Sequence, residues 1–309
     1  MSNWKNKAKF LVRKQILKAR RLSGDESILI FSEPRSGSTW LAELLHHIPG
    51  TLIHWEPLHV EKGIVPKYLN WSWRPYLPKG QPHLEAKAFL ETALSLRDAS
   101  SWTIHYVSLN KARHADLIIN KWVRGLLLIP WMLEHLTLQR PPIVLLRHPI
   151  STCQSQIKNF SVTLDQLPLI PFPQDEARYL PHLSTLEKCE TVLELKIAHW
   201  LINTLPLLND EASLRQCHLV YYEQLLTNPQ QELKRLLSAL RLDHALPQVL
   251  AANIHRASGS DYQQNFESNT ATQLNKAIDQ LMPKEQQRIQ QLFDYFGFTH
   301  YDAFSSLPR

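Results

Sequence analysis

Five short apolar runs rich in β-forming residues are spaced along the chain: residues 27–31 (SILIF), 51–55 (TLIHW), 117–120 (LIIN), 143–146 (IVLL) and 218–221 (HLVY). Each reads as a buried strand. Helical patterns lie between them: 38–47, stopping before Pro49-Gly50; about 123–138; a helix opening at Pro149; 186–208; 229–240; and a mostly helical end from about 272 to Gly297. Residues 61–115 look irregular, with Trp71, Trp73 and Trp102 among several prolines, and 161–182 reads as a proline-rich loop. Strands alternating with helices predict an α/β fold, a P-loop-like parallel sheet of about five strands with helices on both faces. Ligands of such sheets bind at the carboxyl ends of the strands, so the residues just after each strand carry the functional information.

The pattern divides the chain into an N-terminal helical segment, residues 1–24, and one α/β domain, residues 25–309, with insertions near 61–115 and 161–185. Among 309 residues, 44% are hydrophobic and 20% charged, which excludes a disordered or fibrous chain. The net charge of +6 is local. Residues 1–22 hold eight basic side chains and no acid; the remainder has 26 basic against 28 acidic. A globally basic nucleic-acid-binding body is therefore not expected. In the first segment Trp4, Ala8, Leu11, Val12, Ala19 and Leu22 share a helical face, while Phe10 and Leu17 fall elsewhere. Two readings remain open: a leader helix packed on its own domain, or a basic amphipathic helix making peripheral contact with an anionic membrane surface through residues 1–22. No apolar run is long enough to span a bilayer, and no secretory signal is visible. Cys153, Cys189 and Cys217 form no CxxC pair and no disulfide framework. A cytoplasmic, at most membrane-peripheral, protein is expected.

The first strand runs into Glu33-Pro34-Arg35-Ser36-Gly37-Ser38-Thr39-Trp40. A small-residue turn opening a helix is an anion cradle, because the first N–H groups of a helix lack intrahelical partners and the dipole favours negative charge. Gly37 lets the backbone approach a ligand, Ser38 and Thr39 add hydroxyls, and Arg35 adds charge. The Walker lysine is missing, since Ser38 follows the glycine. A polar turn with an N-cap serine is the alternative. PRSGSTWL resembles the 5′-phosphosulfate loop of sulfotransferases that use 3′-phosphoadenosine 5′-phosphosulfate (PAPS).

The fourth strand ends at Arg147-His148-Pro149, with Ser155 two turns into the following helix. An arginine at a strand end and a helix hydroxyl could grip one phosphate together. The 3′-phosphate motif of the same family has an arginine and a serine at this separation. Its usual arginine-aspartate-proline is Arg147-His148-Pro149 here, which removes a carboxylate that could orient the arginine. Trp55-Glu56-Pro57 resembles the glutamate-proline pair of the carbohydrate 6-O-sulfotransferase branch. Lys121-Trp122-Val123-Arg124 resembles that branch's lysine-x-valine-arginine segment, and Tyr222-Glu223-Gln224-Leu225 a segment widespread in sulfotransferases. The matching blocks cover roughly 27–60, 117–160 and 218–241.

The resemblance implies PAPS as donor, 3′,5′-adenosine bisphosphate as product, no metal, and an acceptor hydroxyl, on a carbohydrate or glycolipid. It assigns Glu56, Lys121 and Arg35 to catalysis. Arg35, Ser36, Gly37, Ser38, Thr39, Trp40, Arg147, Ser155, Tyr222 and, on a looser match, Arg256 bind the donor. Glu56, at a strand end beside Trp55 and Pro57, is expected to have a raised pKa and to act as base. His54 is a competing base, but strict alternation puts both on one side, so only one need serve, and a place in the core or in support of the site is the favoured reading of His54. Trp71, Trp73 and Trp102 could stack on sugar rings or simply pack. The histidines lack metal-site spacing. A P-loop kinase and a non-catalytic nucleotide-fold module at a membrane are the competing classes.

Overall fold

The computed structural model describes residues 2–252 and 269–309. Five strands, β1 (Ile28–Ser32), β2 (Thr51–Trp55), β3 (Leu117–Val123), β4 (Ile143–Leu146) and β5 (His218–Tyr221), form one sheet in the order β2-β3-β1-β4-β5. Every pairing is parallel. All five carboxyl ends therefore share one edge. The α/β fold with a wholly parallel sheet is the one the strand pattern predicts.

Alternation within the strands explains why their sequences look uniformly apolar. Ile28 and Ile30 of β1, with Ile143 and Leu145 of β4, pack on one face against Trp40, Leu41, Leu44 and Leu45 of the helix after β1 and against Leu233, Leu236 and Leu237. Leu29, Phe31, Val144 and Leu146 pack on the other, against Ile150, Ile197, Trp200, Leu201 and Phe293. Both faces are covered, so the central strands are mostly apolar, and the polar positions of β3, Asn120 and Lys121, are partnered.

The helices that position the site are α1 (Ser2–Arg20), α2 (Ser38–Leu45), α3 (Leu84–Leu94), α4 (Leu109–His114), α5 (Ile129–His135) and α6 (Pro149–Phe160). Later come Val192–Leu208, Pro229–Ala239, Thr270–Asp279 and Pro283–Tyr295. Two expectations need correction. Residues 61–115 are not irregular throughout: α3 and α4 lie within them, started by His83 and Ser108, whose side chains accept from the third backbone N–H. The 161–182 loop contains short helical turns at Pro173–Asp175, Glu176–Tyr179 and Leu180–His182.

The basic leader forms α1 and packs on α4. The face that packs is only in part the one the periodicity suggested, Leu22 being the buried residue common to both. Leu17 and Leu22 are buried, with Phe10 and Ile16 beside them, against Ile104, Val107, Ala112 and Ile118. Trp4, Leu11 and Val12 are exposed. Two of the basic residues turn inward: Arg13 donates to the Val107 carbonyl (2.6 Å) and Arg20 to that of Ala115. Arg20 caps the C-terminal end of α4 at Ala115, and Arg13 holds the Val107 carbonyl just before its N-cap Ser108, so the two arginines tie α1 to both flanks of α4. No helix among the described residues is long and apolar enough to cross a membrane. All three cysteines are free thiols.

Candidate functional site

The loop from β1 to α2 is built from two left-handed residues, Arg35 (φ 69°) and Gly37 (φ 92°). Gly37 is required twice over. Its φ disfavours any L side chain, and a Cβ there would stand 2.5 Å from Cδ2 of Tyr222. No side chain caps the start of α2, the arrangement that an anion-binding helix terminus requires. Ser36, Ser38 and Thr39 are buried.

α6 holds this loop from the side. Gln156 donates to the Pro34 carbonyl (2.9 Å), and Arg35 Nε donates to Ser155 Oγ (3.1 Å). Arg147, the residue after β4, donates to the Arg35 carbonyl (3.2 Å) and lies 4.7 Å over the Tyr222 ring. Tyr222 in turn packs edge-on against Trp40, with centroids 5.6 Å apart. The two predicted anion pockets thus share a wall, and Tyr222 is the floor common to Gly37, Trp40 and Arg147.

His148 replaces the carboxylate that the sequence motif would supply, and Arg147 does not depend on it. Nδ1 of His148 accepts from Ile150 N–H (3.2 Å) and caps α6, while Nε2–H donates to the Asp302 carbonyl (2.9 Å). Burial lowers its pKa from 6.5 to about 4, which keeps the ring neutral in this role. Beneath it, Glu223 is 1% exposed. Its carboxylate accepts from His148 N–H (2.9 Å) and from the Tyr301 hydroxyl (2.7 Å), and burial raises its pKa. His300 Nδ1 bonds the Tyr221 hydroxyl (2.6 Å). Residues 300–302 therefore brace the ends of β4 and β5.

Glu56 follows β2 with φ 41°, so strand alternation ends before it. This separates it from His54, which alternation had put on the same side. His54 is fully buried, bonded through Nδ1 to Asn120 Oδ1 (2.9 Å), and burial lowers its pKa to about 4. It is a core residue. Lys121 lies inside β3, which runs three residues further than its LIIN core suggested, directly paired with Trp55 and Ile30. Lys121 is 1% exposed. It donates to Glu56 Oε1 at 2.6 Å and sits 3.9 Å over the Trp55 ring. Arg124 approaches Glu56 Oε2 at 3.8 Å and stacks 4.6 Å over Trp73.

The expected raised pKa of Glu56 is overturned. Burial pushes the carboxyl up, but the Lys121 charge and hydrogen bond, with Arg124 behind them, outweigh burial and leave the pKa below its ordinary value. Burial in turn lowers Lys121, against the opposing pull of Glu56. Glu56 is a carboxylate at neutral pH, the protonation state a base requires.

Of the predicted residues, the structure brings Arg35, Gly37, Trp40, Arg147, Ser155 and Tyr222 into one contact network and Glu56 with Lys121 into a second. Arg256 lies outside the described residues. Three contributors had gone unnoticed: Arg124; Arg74, which forks onto Glu33 (Nε–Oε1 2.8 Å); and Glu223. Arg124 and Glu223 stand within the segments already singled out by motif. Arg74 stands in the insertion, where only its neighbour Trp73 marks it. The aromatic residues divide: Trp71 packs on Phe89, whereas Trp73, Trp102, His59 and His105 form a cluster beside Glu56 and Trp55. Among the described residues no cluster of side chains is suited to hold a metal ion.

A parallel sheet thus gathers at its carboxyl edge an uncapped helix start, a strand-end arginine and a buried Lys–Glu pair. Residues 27–247 match the sulfotransferase family model, and the chain belongs to that family. Among solved structures, it is similar to mouse sulfotransferase SULT7A1 complexed with PAP, at 15% identity over 91% of this chain and 88% of that one (TM-score 0.44). It is also similar to the sulfotransferase domain of the Synechococcus PCC 7002 olefin synthase, at 18% identity over 89% and 94% (TM-score 0.43). A third is the sulfotransferase domain from the curacin biosynthetic pathway, at 19% identity over 88% and 98% (TM-score 0.41). No curated protein matches the chain in sequence.

Proposed function

We propose that this sulfotransferase takes its sulfuryl group from PAPS and transfers it to an acceptor hydroxyl, on a carbohydrate or glycolipid. The observation that carries the donor assignment is the shared wall between the two anion pockets: Arg35 reaches Ser155, and Arg147 reaches the Arg35 backbone. One adenosine with phosphates at both ribose ends suits two adjoining anion sites, and the uncapped start of α2 suits backbone contact with a phosphate. The donor supplies an activated sulfuryl group on its 5′-phosphate.

The chain's residues do the rest. Glu56 accepts the proton of the acceptor hydroxyl as its oxygen forms the new bond to sulfur in line with the bond that breaks. Lys121 and Arg35 hold the negative charge that gathers on the sulfuryl and bridging oxygens, in a setting dry enough to make each contact count. Arg147, Ser155 and the α2 terminus with Ser36, Ser38, Thr39 and Trp40 fix the nucleotide. Carbohydrate as acceptor rests on the Glu56-Pro57 resemblance and on the aromatic cluster of Trp73 and Trp102, whose flat rings can cover a sugar face. The exposed Trp4, Leu11 and Val12 leave α1 a face for an anionic bilayer, and we retain a cytoplasmic, membrane-peripheral setting as part of the proposal.

The test is a thermal-shift comparison of adenosine 3′,5′-bisphosphate, Mg-ATP and AMP. A ligand that binds only the folded state raises Tm. A selective upshift with the bisphosphate, lost in Arg147→Ala, is expected. An equal or larger shift with Mg-ATP would instead make the protein a nucleoside-triphosphate enzyme.

A further inference from the structure

The turn that follows Glu56 places a second polar side chain beside it. His59 N–H donates to the Glu56 carbonyl (3.1 Å), Gly63 N–H to the His59 carbonyl (2.7 Å) and Ile64 N–H to the Pro57 carbonyl (3.0 Å), so residues 56–64 close on themselves. Ser100 Oγ donates to the Lys62 carbonyl (2.5 Å) and ties this loop to the segment that carries Trp102. The His59 ring stands edge-on to Trp73, with centroids 4.8 Å apart, and to Trp102, at 5.7 Å. Both of those rings also touch the groups that hold Glu56. Trp73 carries the Arg124 guanidinium (4.6 Å), which approaches Glu56 Oε2 at 3.8 Å. Trp102 meets Trp55 edge-on (6.5 Å), and Trp55 lies beneath the Lys121 ammonium that bonds Glu56 Oε1. The turn and the two rings together fix His59 next to Glu56.

His59 Nδ1 accepts from two backbone N–H groups, those of Glu61 (3.3 Å) and Lys62 (3.1 Å). An imidazole nitrogen that accepts carries no proton, so the proton of the neutral ring sits on Nε2. Burial, with the Arg124 charge behind it, lowers the His59 pKa and keeps the ring neutral at pH 7.5. The residue is half-buried, and Nε2 has no hydrogen-bond partner among the described residues and is not sealed from solvent. His59 is therefore an uncharged N–H donor with its bond unmade, and it is no base, because its one basic nitrogen is already taken. Proton abstraction is left to Glu56. An uncharged donor matches a hydroxyl or ether oxygen, whereas an oxyanion draws its strongest contacts from charged donors. An alcohol with a single oxygen gives this donor nothing to bind.

We propose that His59 is a specificity-determining residue: its Nε2–H donates to a second oxygen of the acceptor, close to the hydroxyl that Glu56 deprotonates, and so selects polyols such as pyranosides over isolated alcohols. This rests on the reading of Glu56 as base and deepens the carbohydrate assignment. The experiment titrates the full chain, saturated with adenosine 3′,5′-bisphosphate, with methyl β-D-galactopyranoside, methyl β-D-glucopyranoside and cyclohexylmethanol. The last keeps a six-membered ring and a primary hydroxyl but no other oxygen, and ligand-observed NMR reads all three affinities. His59→Phe should weaken the better pyranoside about tenfold, the scale of one hydrogen bond, and leave the affinity of the alcohol, however small, within about twofold. His59→Gln keeps a side-chain N–H in place of Nε2–H and should hold the pyranoside within about threefold of wild type. Both variants should keep the bisphosphate-induced rise in Tm, which shows that they fold and bind donor product. A pyranoside affinity that survives His59→Phe, falls in step with that of the alcohol, or is not restored in His59→Gln would overturn the inference alone. Binding of neither pyranoside to the wild type would strike the carbohydrate assignment with it. Failure of the bisphosphate to raise the wild-type Tm would strike the donor assignment instead.

Discussion

Replacing Gly37 by alanine tests the shared wall at its tightest point. At φ 92° the backbone penalty for a side chain is about 1–2 kcal/mol. The new Cβ would stand 2.5 Å from Cδ2 and 2.7 Å from Cε2 of Tyr222. An ordinary carbon–carbon contact starts near 3.5 Å, so the ring must retreat by about 1 Å. It is not free to do so, since Trp40 meets it edge-on and Arg147 lies on its face. Moving the ring strains the packing by about 1–3 kcal/mol and forfeits part of a cation–π contact of about 0.5–2 kcal/mol. A total loss of about 2–4 kcal/mol is expected in urea unfolding, together with at least a tenfold weaker affinity for adenosine 3′,5′-bisphosphate by calorimetry. Tyr222→Leu should absorb the steric part. In that background Gly37→Ala should cost only the backbone penalty, a non-additivity of about 1 kcal/mol or more. A Gly37→Ala protein within about 0.5 kcal/mol of wild type that binds the bisphosphate normally would show that the loop and Tyr222 are not coupled as described.

Glu56→Gln should remove turnover while sparing bisphosphate binding. It should also destabilise by about 3–5 kcal/mol, because it strands the buried Lys121 ammonium; the double variant with Lys121→Met should recover most of that loss in urea melts. Acid should unfold the protein early. His54 and His148 have pKa values lowered from 6.5 to about 4, and His199 to about 3, in each case through burial. Below pH 6.5 the unfolded chain takes up protons that the native state refuses, so stability should fall by up to about 1.4 kcal/mol per pH unit for each ring, and be independent of them above pH 7.5. Urea midpoints at pH 7.5, 6 and 5 check this, a flat profile being the contrary result. His148→Asp, although it restores the carboxylate common in the motif, should destabilise by about 2–3 kcal/mol, since it places a second carboxyl near the buried Glu223 and forfeits the bond to Asp302; a gain in Tm would contradict that reading.

The sheet was legible because its strands are buried on both faces, which turns IVLL into an unbroken apolar run and TLIHW into a mostly apolar one. The residues that follow the strands were legible for a related reason: a parallel sheet delivers every carboxyl end to one edge, so Arg35, Glu56, Arg147 and Tyr222 could be found by position. What local pattern could not give was partnership across the sheet. The lowered pKa of Glu56 depends on Lys121, 65 positions away, and on how far β3 runs past its apolar core. His54 looked equivalent to Glu56 only while alternation was assumed to continue through a left-handed residue. The face of α1 that docks was misjudged because arginines, reading as solvated charge, turned inward to bond the carbonyls that flank α4. Arg74 carries no local signature; an insertion brings it onto Glu33.

The bracing of His148 and Glu223 by residues 300–302 has a consequence for biogenesis. The contact between His148 and Asp302 joins positions 154 apart in the chain, and that between Glu223 and Tyr301 joins positions 78 apart. A ribosome delivers the sheet, both anion loops and the Lys–Glu pair long before it delivers these last partners. Until then an acidic side chain and an imidazole sit in an apolar interior with half their bonds unmade, so a nascent chain stalled before Tyr301 should be a substrate for chaperones rather than a competent binder of nucleotide.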